Sequence, residues 1–246
     1  VKNPPVISSI SSNFSKSKYL NSIKKIQKYI AEGEVYQVNL SQRFQSSFKG
    51  NPWVLYSALR ESNISAFASY LSFPNNTILS FSPEEFLNFE KDLVFTRPIK
   101  GTKPRGATPK EDKINAESLL KSEKDLAENL MIVDVLRNDL GKVCKIGSIK
   151  TPYIFKIEKH PSVWHLVSSI SGELDPEKNI IDLIESTFPG GSITGAPKIR
   201  AMEIIEEIEP NSRGPYCGSI GYISCTGPMK TSIVIRTLII TGGKLY

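Results

Sequence analysis

The sequence predicts an α+β fold in which helices are layered on antiparallel strands, and three observations carry the prediction. Helical spacings alternate with groups of strands, the strands within a group follow one another closely, and 246 residues with 39% hydrophobic content suffice to bury a large core. Grouped strands disfavour a doubly wound parallel sheet, in which single strands alternate with helices. No short-period repeat or low-complexity linker divides the chain, so residues 1–246 read as one domain.

At residues 15–33, Leu20, Ile23, Ile26 and Ile30 recur at helical spacing, Lys24, Lys25 and Lys28 fill the other side, and Gly33 supplies a stop. This is the pattern of an amphipathic surface helix. The run EVYQVNLSQRF changes to a period of two, with Tyr36, Val38, Leu40 and Phe44 on one face and Gln37, Asn39, Ser41 and Arg43 on the other. A half-buried strand is predicted there. Asn51-Pro52, a cap followed by a first-turn proline, opens a short helix. Strands are predicted near 67–72, 77–82 and 93–96, and a long helical region over 110–140 stops at Gly141. Strands near 149–156 and 163–171 precede a helix at 180–187. After the glycine-rich FPGGSITGAPK, a helix over 196–208 leads to two strands near 219–224 and 231–240.

Composition narrows the function classes. No apolar stretch reaches the ~18 residues of a membrane span, and the N-terminus lacks a signal-peptide pattern, so a cytoplasmic protein without a membrane partner is expected. The net charge of +6 is spread among acids such as Glu117, Glu123 and Asp125 with no basic block, which fits a small anionic substrate at least as well as nucleic acid. No nucleic-acid partner is expected. Cys144, Cys217 and Cys225 have no CxxC spacing and form no standard zinc site with His160 and His165, so reduced thiols are expected. The chain starts without Met and stops at TLIITGGKLY, straight after a strand-like run, and reads as a fragment of a longer protein.

Several stretches place reactive side chains in unusual surroundings. Residues 126–141, LAENLMIVDVLRNDLG, are apolar on nearly every side, which predicts a buried helix holding Glu128 and Asp134. Asp134 has Arg137 three residues on. Glu128 has only Lys124 four residues back, while Asp125 puts a second acid on its face; the pair suits Mg²⁺ or a structural ion pair. In TSIVIRTLII, Arg236 stands mid-strand on the face of Val234 and Leu238 and must meet a carboxylate, of protein or substrate. His165 in VWHLVSS shares the face of Val163 and Val167, as a hydrogen-bonded core residue or a catalyst. Glu84 and Glu85 follow Pro83, and on a strand only one of them faces inward, as a general acid if burial raises its pKa; otherwise both are solvated. FPGGSITGAPK is no nucleotide loop, because Ala196-Pro197 follows Gly195. It remains either an ordinary capped loop or an anion-holding turn with free N–H groups near Ser192 to Gly195. Lys100, between Ile99 and Gly101 in FTRPIKGTKPRG, is either a solvated cation or a lysine aimed at a substrate. Cys217 lacks the glycine elbow of a nucleophile, so the chain has no glutaminase site of its own.

In this order, GEVYQVNLSQRF, SPEEF, RPIKGTKPRG, AENLMIVDVLRNDLGKV, HLVSSISGEL, FPGGSITGAPKIRAMEIIEEIEP, RGPYCGSIGYIS and TSIVIRTL resemble the chorismate-utilising enzymes. The resemblance covers nearly all of residues 33–240. It implies a four-layer α/β/β/α domain with two packed, largely antiparallel sheets, requiring chorismate and Mg²⁺. Glu128 then becomes a magnesium ligand, with Asp125 beside it, and Arg236 and Tyr216 bind chorismate carboxylates. His165 lies near the ring, Glu84 is the acid that assists departure of the C4 hydroxyl, and Thr102, Ser192, Thr194, Gly195 and Gly218 line the substrate.

Isochorismate-forming members carry a water-activating lysine where this chain has Gln37, which disfavours water addition. Anthranilate-forming members commonly read PIAGT where this chain reads PIKGT, so Lys100 resembles the aminodeoxychorismate-forming branch. That branch implies attack of the lysine amine on C2, then ammonia at C4, the ammonia coming from a glutamine amidotransferase subunit. The amine must be neutral, and Arg97, Lys103 and Arg105 are expected to make it so by like-charge repulsion. Anthranilate formation is the alternative. So is a catalytically incomplete chorismate-binding fragment, because the family's second magnesium glutamate and a substrate lysine are expected after the Arg236 strand.

Overall fold

A computed structural model describes residues 4–246. The first elements are β1 (Val6–Ile7), β2 (Ser11–Ser12), α1 (Lys16–Ala31), β3 (Gln37–Val38), β4 (Phe44–Lys49) and α2 (Pro52–Ser62). Five strands follow, β5 (Phe67–Ser72), β6 (Asn76–Ser82), β7 (Glu85–Glu90), β8 (Leu93–Thr96) and β9 (Ile99–Pro104), then α3 (Pro109–Leu120) and α4 (Glu123–Gly141). Next come β10 (Lys150–Lys159), β11 (Val163–Glu173), α5 (Ile180–Thr187), a 3-10 turn at Gly191–Ile193, β12 (Gly195–Ala196) and α6 (Lys198–Ile208). The chain closes with β13 (Ser219–Ile223), β14 (Met229–Ile233), β15 (Thr237–Thr241) and β16 (Lys244–Leu245).

The strands form two seven-stranded antiparallel sheets and one small ribbon. The first sheet runs β1-β4-β16-β15-β6-β5 with β2 also on β4, the second runs β10-β11-β8-β7-β14-β13 with β9 also on β11, and β12 pairs with β3. Each sheet is covered by helices. Phe48, Leu79, Phe81, Ile240 and Leu245 of the first pack on Leu55 and Tyr56 of α2. Leu87, Val94 and Ile170 of the second pack on Ile132, Val133, Leu136 and Leu140 of α4 and on Leu183 of α5. Each such side chain contributes about 1.5–3 kcal/mol on burial. The fold is therefore the expected α+β arrangement with two antiparallel sheets.

Caps decide several boundaries. The Asn51 side chain accepts from Trp53 N at 2.8 Å ahead of Pro52, as predicted. Ser122 accepts from Asp125 N at 3.3 Å and starts a new helix, so the predicted helical region over 110–140 is two helices. The 35–44 stretch is not one half-buried strand. Tyr36 and Phe44 are 71% and 53% exposed, and the segment is held by the glycine-rich turn instead, through Tyr36 N to Ala196 O at 2.7 Å and Asn39 N to Thr194 O at 2.8 Å. Nor is α4 buried all round, since Leu130 and Asp134 are exposed and Asp134 meets only Arg137, at 3.2 Å. The buried acid of this helix is Asp139, whose carboxylate meets Lys198 Nζ at 2.5 Å and Lys142 Nζ at 3.3 Å.

The chain crosses between the sheets twice, side by side. β6 passes through Pro83-Glu84 into β7, and β14 passes through 234–236 into β15. Ile233 N donates to Glu84 O at 3.1 Å and Phe81 N to Arg236 O at 3.0 Å, so the crossings are hydrogen-bonded to each other. Residues 231–240 are thus two strands in different sheets, and Arg236 sits at the bend with φ of 50°. Arg236 is exposed and, among the described residues, forms no ion pair; the bend takes it out of the mid-strand position that would have buried it. Among the described residues no helix is long and apolar enough to cross a membrane.

Gly195 lets the turn approach β3. It has φ of 151°, and a Cβ there would lie 2.1 Å from the Gln37 carbonyl oxygen. Gly195→Ala is expected to lower the unfolding free energy by about 2–3 kcal/mol, read by urea denaturation.

Candidate active site

Antiparallel pairing of β9 with β11 sets Thr102 opposite His165, and Thr102 Oγ1 lies 2.9 Å from His165 Nδ1. His165 is buried, and its pKa falls from 6.5 to about 4, first through burial and then through His160 and Arg236. The imidazole is neutral at neutral pH. Its hydrogen bond and burial satisfy the core reading, and its place beside Thr102 leaves the catalytic one intact.

β9 itself was not legible as a strand. Gly101, with φ of 93°, interrupts its pattern, and a Cβ there would lie 3.2 Å from Asp125 Cβ and from Leu166 Cβ. The glycine lets α4 press against β9 next to Lys100. Lys100 Nζ donates to Ser192 O at 2.9 Å. Burial pushes the Lys100 pKa below its ordinary 10.5, while the charges of Glu84 and Glu128 oppose that shift. The direction is the expected one, but the cause is not like-charge repulsion. Arg97 is bound to Glu158 at 2.6 Å and Tyr153 at 2.8 Å, and Arg105 to Asp112 at 2.6 Å, so both guanidiniums are neutralised locally.

Glu84 stands in the first crossing, ahead of β7, and is 5% exposed. Burial raises its pKa from 4.5 to about 7, against the Ser192 hydroxyl, the Lys100 charge and the Ile99 backbone. A group with a pKa of about 7 is partly protonated near neutrality and can give or take a proton there, as a general acid requires. Glu85 is buried too and meets Lys230 Nζ at 3.4 Å. The expectation that only one acid faces inward fails because the crossing at Pro83 breaks strand alternation.

Asp125 and Glu128 are half-buried on the face of α4 toward β9. Lys124 Nζ is 3.8 Å from Glu128 but its side chain is 82% exposed, a weak competitor for a cation. Among the described residues no group of three or more His, Cys, Asp or Glu is arranged to hold a metal ion. Two carboxylates suit an ion that keeps water and substrate in its remaining positions.

Several of the other predicted positions line cavities that this cluster does not. Thr194, Tyr216 and Gly218 line a cavity of about 240 Å³. Tyr216 and Arg236 line a second, of about 310 Å³. Lys100, Glu84, His165 and the α4 acids line neither, and the link between the groups is Arg236, whose charge reaches His165. The anion-turn reading is narrowed. Ile193 N and Thr194 N donate to Gly190 O and Gly191 O, and the Thr194 hydroxyl donates to Gly190 O at 3.0 Å. What the turn offers instead is Ser192, with its hydroxyl at Glu84 and its carbonyl at Lys100.

Three residues that sequence reasoning missed support this turn. Asn39 Nδ2 donates to Ser192 O at 3.1 Å. Arg213 donates to Ile193 O at 2.9 Å, to Asn39 O at 2.5 Å and to the buried Glu209, which accepts from Ser41 N at 2.7 Å. The only sequence signal was the four-residue spacing of Glu209 and Arg213.

The two-sheet α+β domain thus holds a buried acid raised to a pKa of about 7, a buried lysine lowered from its ordinary value and a neutral histidine, groups able to move a proton. The chain belongs to the family described as chorismate binding enzyme, which matches residues 1–246. It is 49% identical over 235 residues to aminodeoxychorismate synthase component 1 of Salmonella typhimurium, covering 96% of this chain and 52% of that protein. It is 46% identical over 239 residues to anthranilate synthase component 1 of Aquifex aeolicus, covering 97% and 48%. The crystal structure of anthranilate synthase component I from Streptococcus pneumoniae superposes with a TM-score of 0.89 at 35% identity, covering 96% of this chain and 52% of that one. The chain spans about half the length of these relatives.

The two shifted groups act oppositely on stability. Between pH 4.5 and about 7 the unfolded chain ionises Glu84 while the folded one holds its proton, so this term lowers stability as pH rises. Between pH 6.5 and about 4 the unfolded chain protonates His165 while the folded one does not, so this term lowers stability as pH falls. Glu84→Gln is expected to remove a fall of up to roughly 3 kcal/mol and so steepen the rise of stability with pH. Urea unfolding across pH 4 to 7 reads it, and an unchanged slope would contradict the assignment.

Proposed function

We propose that this chain carries the chorismate site of an aminodeoxychorismate synthase component 1, converting chorismate and ammonia to 4-amino-4-deoxychorismate in the cytoplasm. The observation that supports it is the pairing across Ser192 of a buried lysine, whose pKa is lowered, with a buried acid whose pKa is raised to about 7. The Lys100 amine attacks ring C2, both ring double bonds shift in turn (C1=C2 to C1=C6 and C5=C6 to C4=C5), and the C4–O bond breaks as Glu84 gives its proton to the leaving hydroxyl, releasing water. Ammonia then attacks C4, both double bonds shift back, the C2–N bond breaks to release Lys100 as the neutral amine, and the new C4 ammonium returns a proton to the Glu84 carboxylate. Neutral His165, held by Thr102, sits beside the ring, and Arg236 and Tyr216 take the carboxylates. Ammonia is delivered by a glutamine amidotransferase subunit, consistent with the component 1 names of the relatives.

Asp125 and Glu128 hold Mg²⁺ in this reading. When bound, the ion supplies positive charge to the substrate carboxylate and shields it from the acids. Glu128→Ala is expected to raise the Mg²⁺ concentration for half-maximal chorismate binding on the order of tenfold or more, measured by calorimetric titration.

Product analysis with chorismate, ammonium and Mg²⁺ tests the reaction. The expected product is 4-amino-4-deoxychorismate, and anthranilate as the main product, favoured by the 46% identity to the Aquifex protein, would overturn the reading. Lys100→Ala is expected to abolish that product and any chorismate-derived mass adduct on the chain; formation at the parent rate would remove the covalent role.

A further inference from the structure

The Ser192 carbonyl accepts two donors, Lys100 Nζ at 2.9 Å and Asn39 Nδ2 at 3.1 Å. A carbonyl oxygen has two lone pairs, so these bonds fill it. We propose that Asn39 is a positioning residue for Lys100, fixing the direction of the Ser192 carbonyl and, through it, the aim of the lysine amine at the substrate. The inference rests on the reading of Lys100 as a nucleophile.

Two physical effects support it. A carbonyl that already accepts an amide N–H has less negative charge to offer a second donor, so it stabilises an ammonium less. Burial then outweighs the charges that face the lysine, Glu84 from the crossing and Glu128 from α4. Second, the Asn39 backbone is anchored independently of its side chain. Its N–H meets Thr194 O at 2.8 Å and its carbonyl accepts from Arg213 Nη2 at 2.5 Å. The side-chain amide therefore has a fixed base from which to hold Ser192 O, and replacing it leaves the segment in place.

The test is competitive acetylation of the folded chain with acetic anhydride across pH, read by mass spectrometry at Lys100 against exposed Lys178. Asn39→Leu, nearly the same size but without a donor, is expected to shift the Lys100 titration to higher pH and to cut its acetylation near neutrality about fivefold, with Lys178 unchanged. Asn39→Ala removes the donor without bulk and gives the same shift should leucine pack poorly. With chorismate and ammonium, the variants are expected to lose kcat near neutrality, recover it at higher pH and keep KM for chorismate. An unchanged Lys100 titration in a folded variant overturns the inference, whatever product forms. A shifted titration in a protein that makes only anthranilate would uphold the Asn39 role and reject the proposed reaction instead.

Discussion

The site depends on two stretches of chain that pass between the sheets together. Each crossing leaves backbone groups without a strand partner, and they satisfy one another through Ile233 N to Glu84 O and Phe81 N to Arg236 O. Buried backbone polar groups left unpaired would cost about 1–3 kcal/mol each, so the crossings are stable only as a pair. One consequence is chemical. Glu84 comes to rest in a buried bend with no cation bonded to it, while Arg236 comes to rest on an exposed bend with its guanidinium unpaired among the described residues.

Around that frame, burial rather than charge pairing sets protonation. Glu84 rises, and Lys100 and His165 fall, each with burial as the leading cause. Elsewhere the fold places buried charge in pairs, as in Glu209 with Arg213 and Asp139 with Lys198. The contrast separates the two uses of charge. Asp139 and Lys198 tie the end of α4 to the start of α6, and Lys198 also donates to Thr187 O at 2.8 Å, so the helix bearing Asp125 and Glu128 is braced against the glycine-rich turn. Arg213 and Glu209 brace the other side of that turn through Ile193 and Asn39. Ser192, between the braces, is held where Lys100 and Glu84 meet it.

Glycines serve approach rather than flexibility at two points. Gly101 admits α4 to β9, and Gly195 admits the turn to β3. Both stand next to residues that matter for chemistry, Lys100 and the Ser192 turn, and each brings a carboxylate or a carbonyl within reach of a buried lysine. That explains why a lysine at a strand break is not a solvated cation here.

By itself the sequence determined the helix positions, the antiparallel grouping of strands and, through eight ordered motifs, the family. Periodicity reports a single element against a single environment, so α1, α5, β5 and β8 were legible at nearly their observed bounds, and the start of α2 was legible from its cap. It does not report where a strand changes sheet. For that reason residues 231–240 read as one strand, Arg236 read as buried, and the second buried glutamate was lost. The residue types of the site, Glu84, Lys100, Thr102 and His165, were visible as chemistry, whereas their protonation was decided by tertiary burial, and Asn39, Arg213 and Asp139 gained their roles only from partners far along the chain. A carboxylate, an amine or an amide has no fixed pKa or partner until the fold has chosen what water it loses and which groups replace it.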